Sequence, residues 1–257
     1  MSTSPLVVAH RGASAVLPEH TLDAYRRALD DGAGGLECDV RLTRDGHLVC
    51  LHDRRLGRTS DGRGLVSDHT LEELRGLDFG SWRGTGPAPV LTLERLLDEV
   101  REAGRPVRLL IETKHPSKYG PDVERRLVTL LHRHRLAAPD PDDPVRVCVM
   151  SFSALAIRRI RRLAPRLPTV LLLELIPPGL RLGRLPFGTR IAGPSIGLVR
   201  ARPGLVAALR AAGNQVYVWT VNEPADLALV IGQEVDAIIT DRPAETLAYI
   251  SKHSEQQ

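Results

Sequence analysis

Short apolar runs alternate with helix-like patterns along nearly the whole chain, and this alternation limits the fold more than any other feature. Residues 6–9, 35–40, 107–112, 145–150, 169–173, 191–196, 215–220 and 236–240 read as strands. Helical patterns fall between them. Thr21 is positioned to cap a helix carrying Leu22, Tyr25, Ala28 and Leu29, which Gly32 ends. Further helices are expected over 93–103, 122–135, 154–163, 203–212, 225–231 and 244–250. Strands that alternate with helices imply a parallel sheet. Eight such units in about 250 residues predict a closed (β/α)8 barrel. An open doubly wound sheet is the alternative, but its glycine-rich phosphate fingerprint is missing. Residues 47–51 read as a small extra hairpin strand after the second barrel strand. Residues 54–89, 137–144 and 177–188 read as loops, and one domain is expected over 1–257 with its core at about 6–250.

Composition narrows the function classes. A hydrophobic fraction of 42% with 26% charged residues excludes disordered and low-complexity classes. The three cysteines, Cys38, Cys50 and Cys148, each sit in an apolar run without CxxC spacing, so reduced buried thiols are expected. The net charge of +4 admits an anionic partner. Aromatic residues make up only 4%, too few for stacking platforms, so no nucleic-acid partner is expected. No apolar run approaches the roughly 18 residues of a membrane span. Met1-Ser2-Thr3-Ser4-Pro5 has neither a basic nor an apolar leader region, which predicts a cytoplasmic protein without stable membrane insertion.

The strand ends carry the chemistry. Barrel active sites sit at the C-terminal ends of the strands. There the chain places His10-Arg11-Gly12, Glu37-Cys38-Asp39, His52-Asp53, Glu112-Thr113-Lys114, Trp219 through Asn222, and Thr240-Asp241. Alternate strand residues share a face, so Glu37 and Asp39 point together, Cys38 turns to the helix layer, and Glu112 shares a face with Lys114. Three carboxylates at one mouth repel one another when bare. A divalent cation relieves that repulsion, and hard oxygen ligands favour Mg²⁺, Ca²⁺ or Mn²⁺ over zinc. The plainer alternative is neutralisation by Lys114 and Arg11 as a structural ion cluster. His10 and His52 at the same mouth add an acid–base pair, and with a cation, Arg11 and Lys114 they suit cleavage of a phosphodiester.

These residues resemble the glycerophosphodiester phosphodiesterase family. The resemblance runs through His10-Arg11-Gly12, Pro18-Glu19-His20-Thr21, Gly35 to Val40, Thr43-Arg44-Asp45-Gly46, Leu51-His52-Asp53 and Arg58-Thr59. It continues through Gly64-Leu65-Val66, Leu91 to Glu94, Ile111 to Lys114, Ser151-Phe152, Val218 to Asn222 and Ile239 to Pro243. It implies a (β/α)8 barrel that releases sn-glycerol 3-phosphate and an alcohol from a small glycerophosphodiester. It also implies one divalent cation, Mg²⁺ or Ca²⁺ with Mn²⁺ as a further candidate, on Glu37, Asp39 and Glu112. By the same resemblance His10 is the proton acceptor, His52 the donor, Arg11 and Lys114 the phosphate contacts, and Trp219 a wall of the site. Attack by the glycerol 2-hydroxyl to give a cyclic phosphate is implied, with direct attack by water as the alternative. Glu19, His20 and Asp53 are expected to support these groups from behind. His20 stands where the family has asparagine, and it is expected to replace a hydrogen bond there rather than to add a third titrating group. Two other functions are weighed. One is a lysophospholipase D whose acyl chain is covered by Leu180, Leu182, Leu185 and Phe187. The other is a non-catalytic module that binds anionic lipid or nucleic acid, for which an acid–base pair has no use.

Overall fold

A computed structural model describes residues 4–176 and 184–254. Its chain begins with β1 (Leu6–His10), α1 (Leu22–Asp30), β2 (Gly35–Leu42) and the short β3 (Leu48–Cys50). A compact segment bearing α2 (Leu71–Arg75) follows, then α3 (Leu93–Glu102), β4 (Val107–Thr113), α4 (Asp122–Arg133), β5 (Val145–Ser151) and α5 (Ala154–Leu163). The last part holds β6 (Thr169–Leu173), β7 (Ile191–Pro194), α6 (Ile196–Ala201), α7 (Leu205–Ala211), β8 (Gln215–Val218), α8 (Pro224–Gly232), β9 (Ala237–Thr240) and α9 (Pro243–Ser254).

All the barrel strands pair in parallel, and β1 bonds to both β2 and β9, which closes eight strands into a ring. β3 lies antiparallel on the end of β2, Val40–Leu42 against Leu48–Cys50, as the extra hairpin predicts. Two apolar layers result from strand alternation. Val8, Leu110, Met150, Leu172 and Ile239 fill the barrel interior. Cys38, Val40, Leu109 and Ile111 turn outward and pack with Tyr25, Leu93, Leu97 and Leu127 of the surrounding helices. The three cysteines are buried and unpaired. Helix starts follow local chemistry: the Thr21, Thr92, Ser153 and Ser195 side chains accept bonds from the backbone N–H groups of Ala24, Arg95, Ala156 and Leu198. Pro224 and Pro243 open α8 and α9, where a missing N–H costs nothing. No helix among the described residues is long and apolar enough to cross a membrane.

Three expectations need correction. Residues 54–89 are not a plain loop: α2 starts on a Thr70–Glu73 capping box, and Leu71, Leu74 and Phe79 pack with Val49, Leu51 and Val90 as a small core of their own. The apolar spacing there is too short and interrupted to signal a helix in the sequence. The strand expected over 191–196 stops at Pro194, because Ser195 caps α6. The helix expected over 203–212 is α7, preceded by α6 and a break at Gly204 with φ +87°. Of the segment 177–188, residues 177–183 with Leu180 and Leu182 lie outside the described residues, while Leu185 is buried and Phe187 exposed.

One glycine positions the rim. Gly12 has φ +85°, and a Cβ there would lie 2.6 Å from the Ala24 carbonyl carbon and 2.7 Å from its oxygen. The turn that carries His10 and Arg11 therefore rests directly on α1. Gly12→Ala is expected to cost about 2–4 kcal/mol from backbone strain and overpacking, read as a lowered denaturation midpoint. An unchanged midpoint would show that this turn is free to move.

Candidate active site

The strand register brings the acids together. In the parallel ladders Asp39 pairs with Glu112 and His10 pairs with Glu37. Residues i and i+2 share a face, so all four side chains enter the barrel mouth. One carboxylate oxygen from each of Glu37, Asp39 and Glu112 lies within 4.8 Å of the others, and all three residues are buried. Three oxygens at that spacing suit a hard cation with ligand distances of roughly 2.0–2.6 Å.

The charge balance also favours a cation. Lys114 Nζ lies 2.8 Å from Glu112 Oε1 and 3.3 Å from Asp39 Oδ1. Arg11 Nε lies 3.0 Å from Asp39 Oδ2, off the line of a hydrogen bond, while its Nη1 donates to Glu19 at 3.0 Å. Glu37 accepts the Arg11 backbone N–H at 3.2 Å. His10 Nε2 lies 3.9 Å from Glu37 Oε2. Lys114 and Arg11 pair directly with Asp39 and Glu112, while Glu37 feels both charges without, among the described residues, a Lys or Arg ion pair of its own. Burial, reinforced by the Asp39 charge, pushes Glu37 well above the ordinary carboxylate range. Burial and Asp39 likewise push Glu112 up to about 8, against the pull of Lys114. Burial alone would raise Asp39 too, but the His20 hydrogen bond and the charges of Arg11 and Lys114 hold it well below its usual value.

Each of the two histidines has a carboxylate behind it. His10 Nδ1 lies 2.7 Å from Asp241 Oδ1, at the end of the strand that closes the barrel against β1. Asp241 is itself held: Asn222 Nδ2 donates to its Oδ2 at 2.7 Å, and the Asp241 N–H donates to Asn222 Oδ1 at 2.9 Å. Ser14 Oγ lies 2.9 Å from Asp241 Oδ1 and 2.7 Å from the His10 carbonyl. On the other side His52 Nδ1 lies 2.7 Å from Asp53 Oδ1. Asp53 accepts from Arg58 Nε at 2.6 Å, and the same guanidinium donates to both Glu19 oxygens at 2.8 Å. Burial raises the Glu19 carboxyl, but Arg58 and Arg11 outweigh it and bring it to about 2. Burial lowers the His52 imidazole, with the Asp39 charge opposing. In both pairs Nδ1 faces the carboxylate, which leaves Nε2 toward the cleft.

His20 is buried behind the acids. Its Nε2 lies 3.0 Å from Asp39 Oδ2 and its Nδ1 2.8 Å from the Tyr25 hydroxyl. Burial lowers its pKa, with the Asp39 hydrogen bond opposing. A neutral ring with the proton on Nε2 donates to Asp39, and its bare Nδ1 shares the single Tyr25 hydroxyl proton with the Glu37 carbonyl, 3.1 Å from that hydroxyl.

The rim opens on a cavity of about 210 Å³ bounded by His10, Arg11, Glu37, His52, Glu112 and Lys114 on one side. Phe152, Glu174 and Trp219 line the other side, over a floor of Met150, Leu172 and Ile239. Of the predicted residues, His10, Arg11, Glu37, Asp39, His52, Glu112, Lys114 and Trp219 all come to this mouth, with Glu19, His20 and Asp53 behind them. Asp241, Arg58 and Glu174 were missed as site residues. Asp241 carried a usable signal, since the last strand of a closed barrel must end beside the first. Arg58 lies in a segment whose path the sequence pattern does not reveal, and Glu174 follows a strand whose one polar residue, Thr169, lies at its far end.

A closed parallel barrel whose rim gathers three acids, two carboxylate-backed histidines and two cations is the frame of a phosphoric diester hydrolase. The family model described as "Glycerophosphoryl diester phosphodiesterase family" matches residues 10–245, and the chain belongs to that family. It is 49% identical over 253 residues to the Mycobacterium tuberculosis protein named "Probable glycerophosphodiester phosphodiesterase 1", covering 96% of this chain and 92% of that one. It is 34% identical over 252 residues to a Bacillus subtilis glycerophosphodiester phosphodiesterase, covering 93% and 84%. An Oleispira antarctica phosphodiesterase, solved in complex with the product sn-glycerol-3-phosphate, superposes with a TM-score of 0.84 at 26% identity and covers 96% of this chain and 97% of its own.

Protons compete with a cation for Glu112 and Glu37, so the concentration of Mg²⁺, Ca²⁺ or Mn²⁺ needed for half-maximal activity is expected to fall as pH rises towards about 8. A metal titration at pH 6 and pH 8.5 checks this, and a higher requirement at pH 8.5 would contradict it. Asp241→Asn keeps the shape but frees the His10 tautomer, and kcat is expected to drop by at least about tenfold. Wild-type kcat would mean that Asp241 does not orient His10.

Proposed function

We propose that this chain hydrolyses glycerophosphodiesters to sn-glycerol 3-phosphate and an alcohol, with a divalent cation and with His10 and His52 as the acid–base pair. The observation that carries this reading is the convergence of two carboxylate-backed imidazoles on one triad of buried acids. Its substrate is a small cytoplasmic molecule rather than a nucleic acid, and the barrel acts as one domain.

Glu37, Asp39 and Glu112 are the residues that hold the cation. When bound, it supplies positive charge to the phosphoryl oxygens and Lewis acidity at the reacting centre. Lys114 and Arg11 face the same oxygens and stabilise the charge that grows on them in the transition state. His10 Nε2 accepts the proton of the attacking hydroxyl, while Asp241 takes the Nδ1 hydrogen bond and stabilises the imidazolium that forms. His52 Nε2 gives a proton to the leaving alcohol oxygen. It gives that proton from its imidazolium form, since the Nδ1–H is committed to Asp53, which keeps the ring turned towards the cleft. A water molecule is the nucleophile, or the glycerol 2-hydroxyl attacks first to give a cyclic phosphate that water then opens to glycerol 3-phosphate, and both routes use the same two imidazoles.

His10→Ala and His52→Ala are each expected to lower kcat by about 10²-fold or more. EDTA is expected to abolish release of glycerol 3-phosphate, and Mg²⁺, Ca²⁺ or Mn²⁺ to restore it. Near-wild-type turnover in either variant would remove that histidine from the reaction. Full activity after exhaustive chelation would remove the cation.

A further inference from the structure

The barrel end opposite the mouth carries positive charge that no acid of the fold balances. Arg108 on β4 and Arg146 on β5 are partners in the parallel register of those strands. Partners in register point to one face, and each arginine lies two residues before an inward side chain, Leu110 or Cys148. Two guanidinium groups therefore stand side by side at the floor of the barrel. Like charges placed opposite each other on neighbouring strands are destabilising. Neither arginine makes an ion pair among the described residues. Asp143, just before Arg146, pairs instead with Arg101 at 3.3 Å. Asp236, which borders the floor beside Arg108, accepts the Val216 N–H at 2.8 Å.

Both arginines line one cavity of about 130 Å³, together with Gln215, Tyr217 and the apolar Val147 and Ile191. A guanidinium offers five donors. Arg108 uses Nη1 on the Tyr217 hydroxyl at 2.6 Å, and Arg146 uses Nη2 on the Pro141 carbonyl at 3.3 Å. Tyr217 is 1% exposed, and its own hydroxyl proton reaches only towards Gln215 Oε1 at 3.4 Å. A buried hydroxyl ordinarily has a closer acceptor. Three side chains thus bring spare donors to one small space, and what the space lacks is an acceptor with negative charge. Two fixed positive charges match a dianion, whereas chloride or a single carboxylate neutralises one of them. Phosphate oxygens fit the guanidinium fork. We infer that the floor of the barrel binds a small phosphate dianion between Arg108, Arg146 and the Tyr217 hydroxyl. The site is distinct from the catalytic mouth, because Leu110 and Met150 fill the barrel between the two ends. Bound there, the dianion bridges β4 and β5 and turns their repulsion into cohesion. Its source is inorganic phosphate or a phosphate monoester such as glycerol 3-phosphate. The inference does not depend on what the mouth hydrolyses.

Calorimetry on the magnesium-loaded protein tests it, at about pH 8, where a phosphate monoester carries close to two charges. Inorganic phosphate and glycerol 3-phosphate are titrated separately into wild type and Arg146→Gln. Wild type is expected to bind one equivalent of at least one ligand that the variant loses or binds at least about tenfold more weakly, the scale of a charged hydrogen bond. The ligand that binds this equivalent more tightly is the source. The kcat of Arg146→Gln is expected to stay at the wild-type value. Equal stoichiometry and affinity of both ligands in the two proteins would overturn the site. Thermal unfolding gives a second test with an unusual sign. In low-salt buffer without phosphate, removing one of two repelling charges is expected to leave the Tm of Arg146→Gln at or above that of wild type. Saturating phosphate is expected to raise wild type more than the variant. A variant already less stable without phosphate, or an equal gain in both proteins, would overturn the proposal.

Discussion

Three carboxylates buried at one rim are the constraint around which this barrel is arranged. Their mutual repulsion is expensive where water is excluded, since like charges repel far more strongly there than in bulk solvent. Almost every polar contact near the mouth reads as a response to it. Lys114 bonds Glu112 and Asp39, Arg11 stands against Asp39, His20 supports Asp39 from behind, and the Arg11 amide caps Glu37. The compensation is unequal: Asp39 is held ionised while Glu37 and Glu112 are pushed towards their protonated forms. A cation held there, as proposed, would complete what the protein leaves undone, and proton release from the two raised acids would couple its binding to pH.

The two histidines are held by different means, and the difference follows from where each lies in the barrel. His10 sits on β1, and its partner Asp241 follows β9, so closure of the sheet makes the pair. Asn222 and Ser14 then fix that carboxylate, and the Asp241 backbone N–H holds Asn222 in place. His52 lies outside the ring of eight strands, after the hairpin strand β3, and its carboxylate is the next residue in sequence. Its rigidity comes from the compact segment around α2. That segment contributes Arg58, which clamps Asp53 and Glu19 together and so links the His52 side of the mouth to the Arg11 side. The small core of Leu71, Leu74 and Phe79 against Val49 and Leu51 keeps the clamp in place.

Much of this was legible in the sequence. Strand composition and alternation fixed eight parallel strands and a side hairpin, and period two within Glu37-Cys38-Asp39 told which side chains face inward. The convergence of strand ends at one rim made His10, the three acids, Lys114 and Trp219 predictable as neighbours without any coordinates. The folded segment over 54–89 was not legible, because its short α2 and scattered leucines show no sustained period and draw their order from contacts with β3. Arg58 escaped for the same reason.

The sequence by itself determined the kind of barrel and the inward-facing set of acids, because backbone periodicity and side-chain polarity act over a few residues. Only the tertiary structure decided which carboxylate holds which imidazole, how far positive charge falls short around Glu37, and which residues form the wall opposite the phosphate side. Those outcomes depend on sheet closure, which brings Asp241 to His10 across 231 residues, and on burial, which sets the strength of every charge at the mouth. Neither is a property of any short stretch of chain.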